Sequence, residues 1–289
     1  MRKNGRDRIG IGWRPEIAAG IYLRLAEIDV VEVVAESYAR ASRRDIAALR
    51  MLAKNVPMSL HGVSMGLASA ALVERRAIDR MARMVEAIEP ESWSEHLAFV
   101  RAGGVEIGHL AAPPRTQATV EGALRNIELA TRVIGFRPQL ENIATLIAPP
   151  ASTLDEAAWV GAIIAGAGTG LLLDLHNLYA NAVNFGQDPF ALLAAMPLAS
   201  VCSVHIAGGV WINAPSGAKR LLDDHLHDPQ DVVYALLARL AELAPQPLTV
   251  ILERDGAYPA FDVLMSQLHS ARDAVHDGRM RAGITRSAV

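Results

Sequence analysis

Histidine, glutamate and aspartate close one short apolar run after another in this chain. His61 ends Met58-Ser59-Leu60, His96 ends Ser92-Trp93-Ser94-Glu95, Glu141 follows Gln139-Leu140, and Asp174 follows Leu171-Leu172-Leu173. His205 ends Val201-Cys202-Ser203-Val204, and Glu253 ends Leu248-Thr249-Val250-Ile251-Leu252. Taken singly, a histidine in such a place is often a hydrogen-bonded structural residue, and a carboxylate is often a helix cap or an ion-pair partner. Six of them gathered into one cup are different, because buried carboxylates are unstable unless cations compensate them. Arg254 alternates away from Glu253, and the other strand ends offer few basic side chains. Binding of divalent or trivalent metal is the chemistry this pattern supports.

Two further stretches add donors. In Asp174-Leu175-His176-Asn177 the Asp and His share strand parity and could serve one ion or two neighbours. In Asp223-Asp224-His225-Leu226-His227-Asp228, expected to be a loop, Asp223 and His225 repeat that spacing. A solvated acidic turn is the alternative there, with Asp228 capping the next helix. His227 is the weaker candidate. One metal takes about four to six ligands, so the inventory supports two or three ions. Imidazole and carboxylate without thiolate suit iron, manganese or zinc, and argue against copper(I) and iron–sulfur clusters.

Residues spread from His61 to Glu253 meet only if the fold brings strand ends together. Short β-type runs alternate with helical ones, as in a parallel sheet built from βα units. Strands are expected at 9–13 and 30–35, and then ending at His61, His96, Glu141, Asp174, His205 and Glu253. Helices are expected at 15–27, 43–54, 71–88, 116–134, 155–167, 188–195, 230–243 and 259–276. Eight strand-then-helix units at this length predict an α/β chain, a (β/α)8 TIM barrel in a single domain over 9–276. Residues 1–8 and 277–289 are expected to be flexible segments. A doubly wound open sheet would need a glycine-rich phosphate turn after an early strand, and none is present.

Counting back by two from each strand end gives the residues that face the barrel interior. Ser59, Ser92, Ser94, Gln139, Ser203 and Thr249 lie beneath the acidic and imidazole rim. Hydroxyl and amide groups in those layers suit hydrogen bonding to metal ligands, where a plain barrel would carry Val, Ile and Leu. Glu32 and Glu36 share parity, and Glu36, near the rim, joins His176 and Asn177 as a possible additional ligand or ligand-orienting residue. Cys202 has the opposite parity and is expected to be a small buried apolar residue against the helices, not a nucleophile. His109, His269 and His276 are expected to be solvated. Gly208-Gly209 gives the backbone room beside the site.

The chain has 289 residues, 51% hydrophobic and only 5% aromatic, so Leu, Val, Ile and Ala must fill most of a substantial core. A net charge of −3 gives no reason to expect nucleic acid or an anionic membrane as partner. No apolar stretch approaches the roughly 20 residues that span a bilayer. The charged Met1–Arg8 segment precedes no secretory apolar region, and the single cysteine allows no internal disulfide. A cytoplasmic location is expected.

The segments Ser59-Leu60-His61-Gly62-Val63-Ser64, Ser94-Glu95-His96-Leu97, Leu140-Glu141-Asn142, Leu173-Asp174-Leu175-His176-Asn177-Leu178-Tyr179, His205-Ile206-Ala207-Gly208 and Glu253-Arg254-Asp255 resemble, in order, those of the multinuclear non-haem iron-dependent oxidases. That family includes the oxidase of methanobactin biosynthesis. The resemblance runs from about Gly10 to Pro259. It implies a barrel holding two or three irons in mixed ferrous and ferric states, with zinc or manganese as alternatives. It also implies oxygen-dependent modification of a ribosomal precursor peptide, often at cysteine, with a small partner protein presenting the peptide. The ligands it implies are His61, His96, Glu141, Asp174, His205, Asp223, His225 and Glu253, with His205, Asp223 and His225 as the catalytic candidates. Two stretches depart from the family pattern. Gly108–Pro114 is poor in large apolar residues, and Asp224, His227 and Asp228 make the surroundings of His225 unusually charged.

Two other readings share the donor pattern. A divalent-metal barrel of the sugar isomerase or endonuclease kind also places His, Asp and Glu at strand ends, although the basic stripe a nuclease would need is missing here. A non-catalytic metal-binding scaffold in a peptide-maturation complex would form stable complexes without turnover.

Overall fold

The apolar runs are buried on both faces, which is the situation of strands in a parallel barrel wrapped by helices. The computed structural model describes residues 5–213 and 217–283. In chain order its elements are β1 (Arg8–Gly12), α1 (Ala18–Leu23), β2 (Val31–Val34), α2 (Arg43–Ala53), β3 (Met58–Gly62), α3 (Arg75–Ile88), β4 (Ser92–His96), β5 (Phe99–Ala102), β6 (Val105–Ala111), α4 (Gln117–Ile134) and β7 (Gln139–Glu141). There follow α5 (Glu156–Ala167), β8 (Leu171–Asp174), α6 (Leu175–Asn184), α7 (Pro189–Ala195), β9 (Val201–Ile206), β10 (Gly208–Asn213), β11 (Lys219–His227), α8 (Asp231–Leu243), β12 (Thr249–Leu252) and α9 (Phe261–Arg281).

Eight strands close into a parallel barrel in the order β1-β12-β9-β8-β7-β4-β3-β2. This is the expected (β/α)8 barrel. The register sets His96 beside Glu141 and Asp174 beside His205, so the strand ends converge on one rim. Residues such as Leu60, Trp93, Leu140 and Val250, all fully buried, point outward and pack under the helices. Trp93 satisfies its indole N–H on the Phe136 carbonyl. Side-chain caps fix where several helices begin: Ser42 and Asp45 form a capping box on α2, and Asp155 accepts from the Ala158 N–H at the start of α5. No described helix is long and apolar enough to cross a membrane.

Four features differ from expectation. The segment after Asp174 is helix α6, and buried Asn177, Asn181 and Asn184 disguised it because asparagine favours turns and caps. Two antiparallel hairpins, β5–β6 and β10–β11, leave the barrel after β4 and β9. Asp223 and His225 therefore lie on a strand, not in a loop. The last helix runs past Asp277 to Arg281, and buried Arg279 donates to both carboxylate oxygens of Asp7 and to the Ala241 carbonyl. Asp7 and residues 277–281 are thereby held in place, whereas 1–4 and 284–289 lie outside the described residues. Cys202 is exposed near the start of β9 and is not the buried apolar residue expected.

Candidate metal centre

Three groups of imidazole and carboxylate donors stand in a row at the top of the barrel. His61, His96 and Glu141 form the first, Glu141, Asp174, His205 and Glu253 the second, and His225, Glu253 and Asp255 the third. Within each group the candidate ligand atoms lie within 4.8 Å of one another. Glu141 belongs to the first two groups and Glu253 to the last two, so the groups are linked by shared carboxylates.

The barrel strands supply the first two groups directly. In the first, Nδ1 of His61 is 2.8 Å from Ser94 Oγ and Nδ1 of His96 is 3.2 Å from the Gly62 carbonyl. Each ring is oriented from behind, which leaves Nε2 facing inward, 3.4 Å and 3.3 Å from Glu141 Oε2. Glu95, buried beside them, accepts from the Met65 and His96 N–H groups and shapes the turn after β3. In the second group, His205 Nδ1 faces Glu253 Oε2 at 2.9 Å and Glu141 Oε1 at 3.3 Å. Its Nε2 lies 2.8 Å from Glu32, which Ser59 also contacts from β3. Asp174 caps α6 by accepting from the Asn177 N–H with one oxygen. Asn142 holds the Asp174 backbone through both its N–H and its carbonyl.

The third group depends on the second hairpin. The pairing of β10 with β11 skips residues between Asp223 and His227, which is a bulge. His225, inside it, has φ of 54°. A bulge re-aims a side chain, and a left-handed non-glycine residue persists only where its surroundings hold it. Here the Asp255 N–H donates to the His225 carbonyl. His225 Nδ1 is 3.3 Å from Glu253 and 3.6 Å from Asp255, and its Nε2 is 2.7 Å from Asp223 Oδ1. The hairpin sits close on α6: a Cβ on Gly209 would lie 2.4 Å from His176 Nε2. Asn184 closes the seat by exchanging two hydrogen bonds with the Leu221 backbone.

The donor set fits metal. Both oxygens of Glu141, Oδ2 of Asp174, Nδ1 of His205, Oδ1 of Asp223 and Nε2 of His225 are buried without a hydrogen-bond partner. Orphaned buried acceptors and imidazole nitrogens turned toward each other need positive charge among them, which a bound metal or protons on the imidazoles can supply. The electrostatics agree. Burial pushes the His96 imidazole down, but Glu141 and Glu95 lift it to about 9. His205 and His225 are likewise desolvated, yet their carboxylates hold both well above the usual imidazole range. Glu141 is depressed to about 2 by the surrounding imidazoles, in spite of burial. Asp174 goes the other way, raised by burial and by Asp223.

The other expected residues fall nearby but outside the three groups. Asp223 touches His225 alone at short range and is 3.7 Å from His176. His176 is fully buried with both nitrogens unpartnered, and burial lowers it to about 4. Asn177 lines the cleft above the site. Glu36 is turned away and braces the turn after His61 by accepting from Val63, Ser64 and the Ser64 hydroxyl. His109 is on β6, exposed at the cleft margin. Arg254 points away from the site, as expected, and pairs with Asp228 at 2.9 Å. Asp228 therefore does not cap α8, whose N-cap position is Gln230.

Sequence reasoning missed three members of the neighbourhood. Asp255 lies beyond the end of β12, where strand alternation no longer licenses counting by two. Glu32 reaches His205 from β2, and its inward parity was the available signal. Arg14 contacts Asp255 and lies 3.6 Å from Glu253, although no strand end placed it there.

A family model described as "RiPP precursor modification enzyme MbnB/TglH/ChrH" (enzymes acting on ribosomally synthesised, post-translationally modified peptides) matches residues 8–276. A UPF0276 protein of Streptomyces avermitilis is 34% identical over 294 residues, covering 98% of this chain and 58% of the relative, so the chain spans little more than half of that protein. One from Rhizorhabdus wittichii is 32% identical over 256 residues, covering 88% of this chain and 89% of its own. Among solved structures, an L-ribulose 3-epimerase superposes with TM-score 0.60 at 14% identity over 96% of this chain and 97% of that one. Endonuclease IV from Thermus thermophilus gives 0.58 at 19% over 93% and 99%. At such identities those two likenesses show the shared barrel and nothing of its chemistry. The family match spans the whole barrel and its rim, and the chain belongs to the MbnB/TglH/ChrH family of RiPP precursor modification enzymes.

Proposed function

We propose that this chain is a multinuclear non-haem iron enzyme that uses dioxygen to modify a residue, cysteine in our reading, of a ribosomal precursor peptide presented by a small partner protein. The observation that carries the reading is the row of three donor groups joined by Glu141 and Glu253, with both Glu141 oxygens buried and unpartnered. His61, His96, Glu141, Asp174, His205, Asp223, His225 and Glu253 would hold the metals, and Asp255 joins them. No thiolate is among the donors, which supports iron, manganese or zinc, and the motif resemblance to the iron-dependent oxidases favours iron. When bound, iron supplies one-electron chemistry toward dioxygen and an open position for a substrate thiolate.

The chain's own residues orient and gate that chemistry. Ser94, Gly62 and Glu32 fix the histidine rings. A cleft of about 640 Å³ leads from the surface to His61, His96, His225 and Glu253, and apolar side chains make up much of its wall. Asp223, whose Oδ1 lies 2.7 Å from His225 Nε2, is part of the cleft lining where substrate would enter. His205, Asp223 and His225 are the residues on which we place catalysis.

The test is metal content and valence of anaerobically purified protein, followed by exposure to air with the precursor peptide and the small partner protein encoded beside it. A change in peptide mass that requires both iron and oxygen is expected. An unchanged peptide mass with iron in place refutes the reading. Zinc or manganese without oxygen uptake points instead to chemistry of the epimerase or endonuclease kind, and a stable peptide complex without turnover points to a scaffold.

A further inference from the structure

We propose that the cleft above the metal centre selects a precursor segment whose side chains beside the modified residue are apolar and carry no carboxylate, and that Leu146 and Ile147 read it. The inference rests on the peptide-modifying function proposed above.

The first observation is exposed apolar surface in a place that a ligand would cover. Leu146 is 39% and Ile147 73% exposed, and both line the cleft together with Ile143, Phe99 and Leu110. Large apolar residues clustered at the mouth of a pocket mark a recognition surface.

The second is that this wall is held rigid from behind. The Thr145 N–H donates to Asn181 Oδ1 at 2.8 Å, and the Asn181 amide donates to the Ile143 carbonyl at 2.9 Å. The same amide donates to Glu156, which Arg115 anchors at 2.9 Å, and the Thr145 hydroxyl donates to the Ile147 carbonyl. Asn181 is fully buried. A loop tied down in this way presents its aliphatic side chains without an ordering cost on binding.

The third is charge. Among the described residues lining the cleft there is no lysine or arginine, whereas Asp223, Asp224 and Asp255 are present. Arg14, behind the site, is already engaged by Asp255 and Glu253. An aspartate or glutamate lying against the Leu146–Ile147 wall, out of reach of the metals, would find no lysine or arginine on the cleft lining to pair with, which disfavours it. Aliphatic or aromatic neighbours would instead cover Leu146 and Ile147.

The experiment probes an array of serine-centred heptapeptides with the full-length, iron-loaded protein under anaerobic conditions. Serine replaces the reacting residue so that thiol coordination does not dominate binding. Peptides with Leu, Ile, Val or Phe flanking the centre should bind best, and Asp or Glu at those positions should weaken binding about tenfold. Ile147→Asp and Leu146→Asp should each flatten the apolar preference while iron content stays at the wild-type level, and Ile147→Val should preserve it. Binding that ignores the flanks, favours acidic ones, or keeps its apolar preference in both Asp variants overturns the proposal and leaves the peptide-modifying function standing. Absence of binding to any peptide, with iron retained, overturns the proposal, and the peptide-mass test above decides the function separately.

Discussion

Glu141→Gln keeps the shape of the side chain at the centre of the site and removes its charge. In the metal-free protein Glu141 is 3.4 Å from His61 Nε2, 3.3 Å from His96 Nε2 and 3.3 Å from His205 Nδ1. The His96 imidazole, pushed down by burial, is lifted by Glu141 above all from 6.5 to about 9. That rise is equivalent to about 3 kcal/mol of stability. The depression of Glu141 to about 2 is the other side of the same interaction and is not added to it. A raised imidazole stabilises the fold fully below pH 6.5 and loses that contribution as the pH climbs through 9. The lowered carboxylate contributes above pH 4.5 and loses its share as the pH falls toward 2.

Through His96, chelator-treated Glu141→Gln should therefore lose up to about 3 kcal/mol near pH 6 and less than about 1 kcal/mol near pH 9, while the lost contact with His205 lowers stability at both. The figure is an upper limit because Glu95 and Glu253 also lift His96. Urea denaturation of both proteins at the two pH values reads the difference as a shift in midpoint. With metal present the same substitution should lower content in the first two donor groups together, since Glu141 serves both. An equal stability loss at pH 6 and pH 9 would refute the electrostatic argument. Wild-type metal content would remove Glu141 from the ligand set.

Metal loading at neutral pH should release several protons, because His96, His205 and His225 are held protonated in the metal-free site and must be neutral to ligate. An indicator dye in weak buffer measures the release, and none at all would contradict the arrangement. Asn181→Ala should destabilise the protein by about 2 kcal/mol, by stripping partners from the Thr145 N–H, the Ile143 carbonyl and Glu156; an unchanged urea midpoint would show that the cleft wall is held otherwise. Arg279→Ala should cost about 3 kcal/mol, because it leaves the part-buried Asp7 carboxylate with only the Leu248 N–H and takes a donor from the Ala241 carbonyl. A neutral result in thermal melts would restore the frayed C-terminal segment expected from sequence.

The barrel and most of its rim were legible because parallel strands obey two simple rules. Apolar runs give the strands, and a polar residue closing such a run marks the end that faces the site. His61, His96, Glu141 and Asp174 each end or nearly end a strand for that reason. What stayed hidden follows from where those rules lapse. Hairpin β5–β6 is mostly exposed, and its signal, a Gly103-Gly104 turn followed by the short alternation Val105-Glu106-Ile107, is brief and has no buried face to reinforce it. Helix α6 carries asparagines on its buried side, where their hydrogen bonds to Leu221, Ile143 and Asn142 replace the expected apolar stripe. His176 was paired with Asp174 by strand parity, but it lies in the first turn of α6, where that parity has no meaning.

The same distinction explains why fold likeness and chemistry part company in this molecule. The barrel strands deliver Glu141, Asp174, His205 and Glu253 to a common rim, as closure of any such barrel would. The third donor group requires more: a bulged hairpin, a left-handed His225, a glycine that lets β10 approach His176, and Asn184 to seat β11. Each of these is a local departure from regular structure with no role in closing the barrel. The hairpin seats the third group and, through Leu222 and Asp224, also forms part of the cleft wall. Changes there can alter metal binding and peptide entry together while leaving the barrel intact, so function in this chain turns on a short segment that the fold alone does not specify.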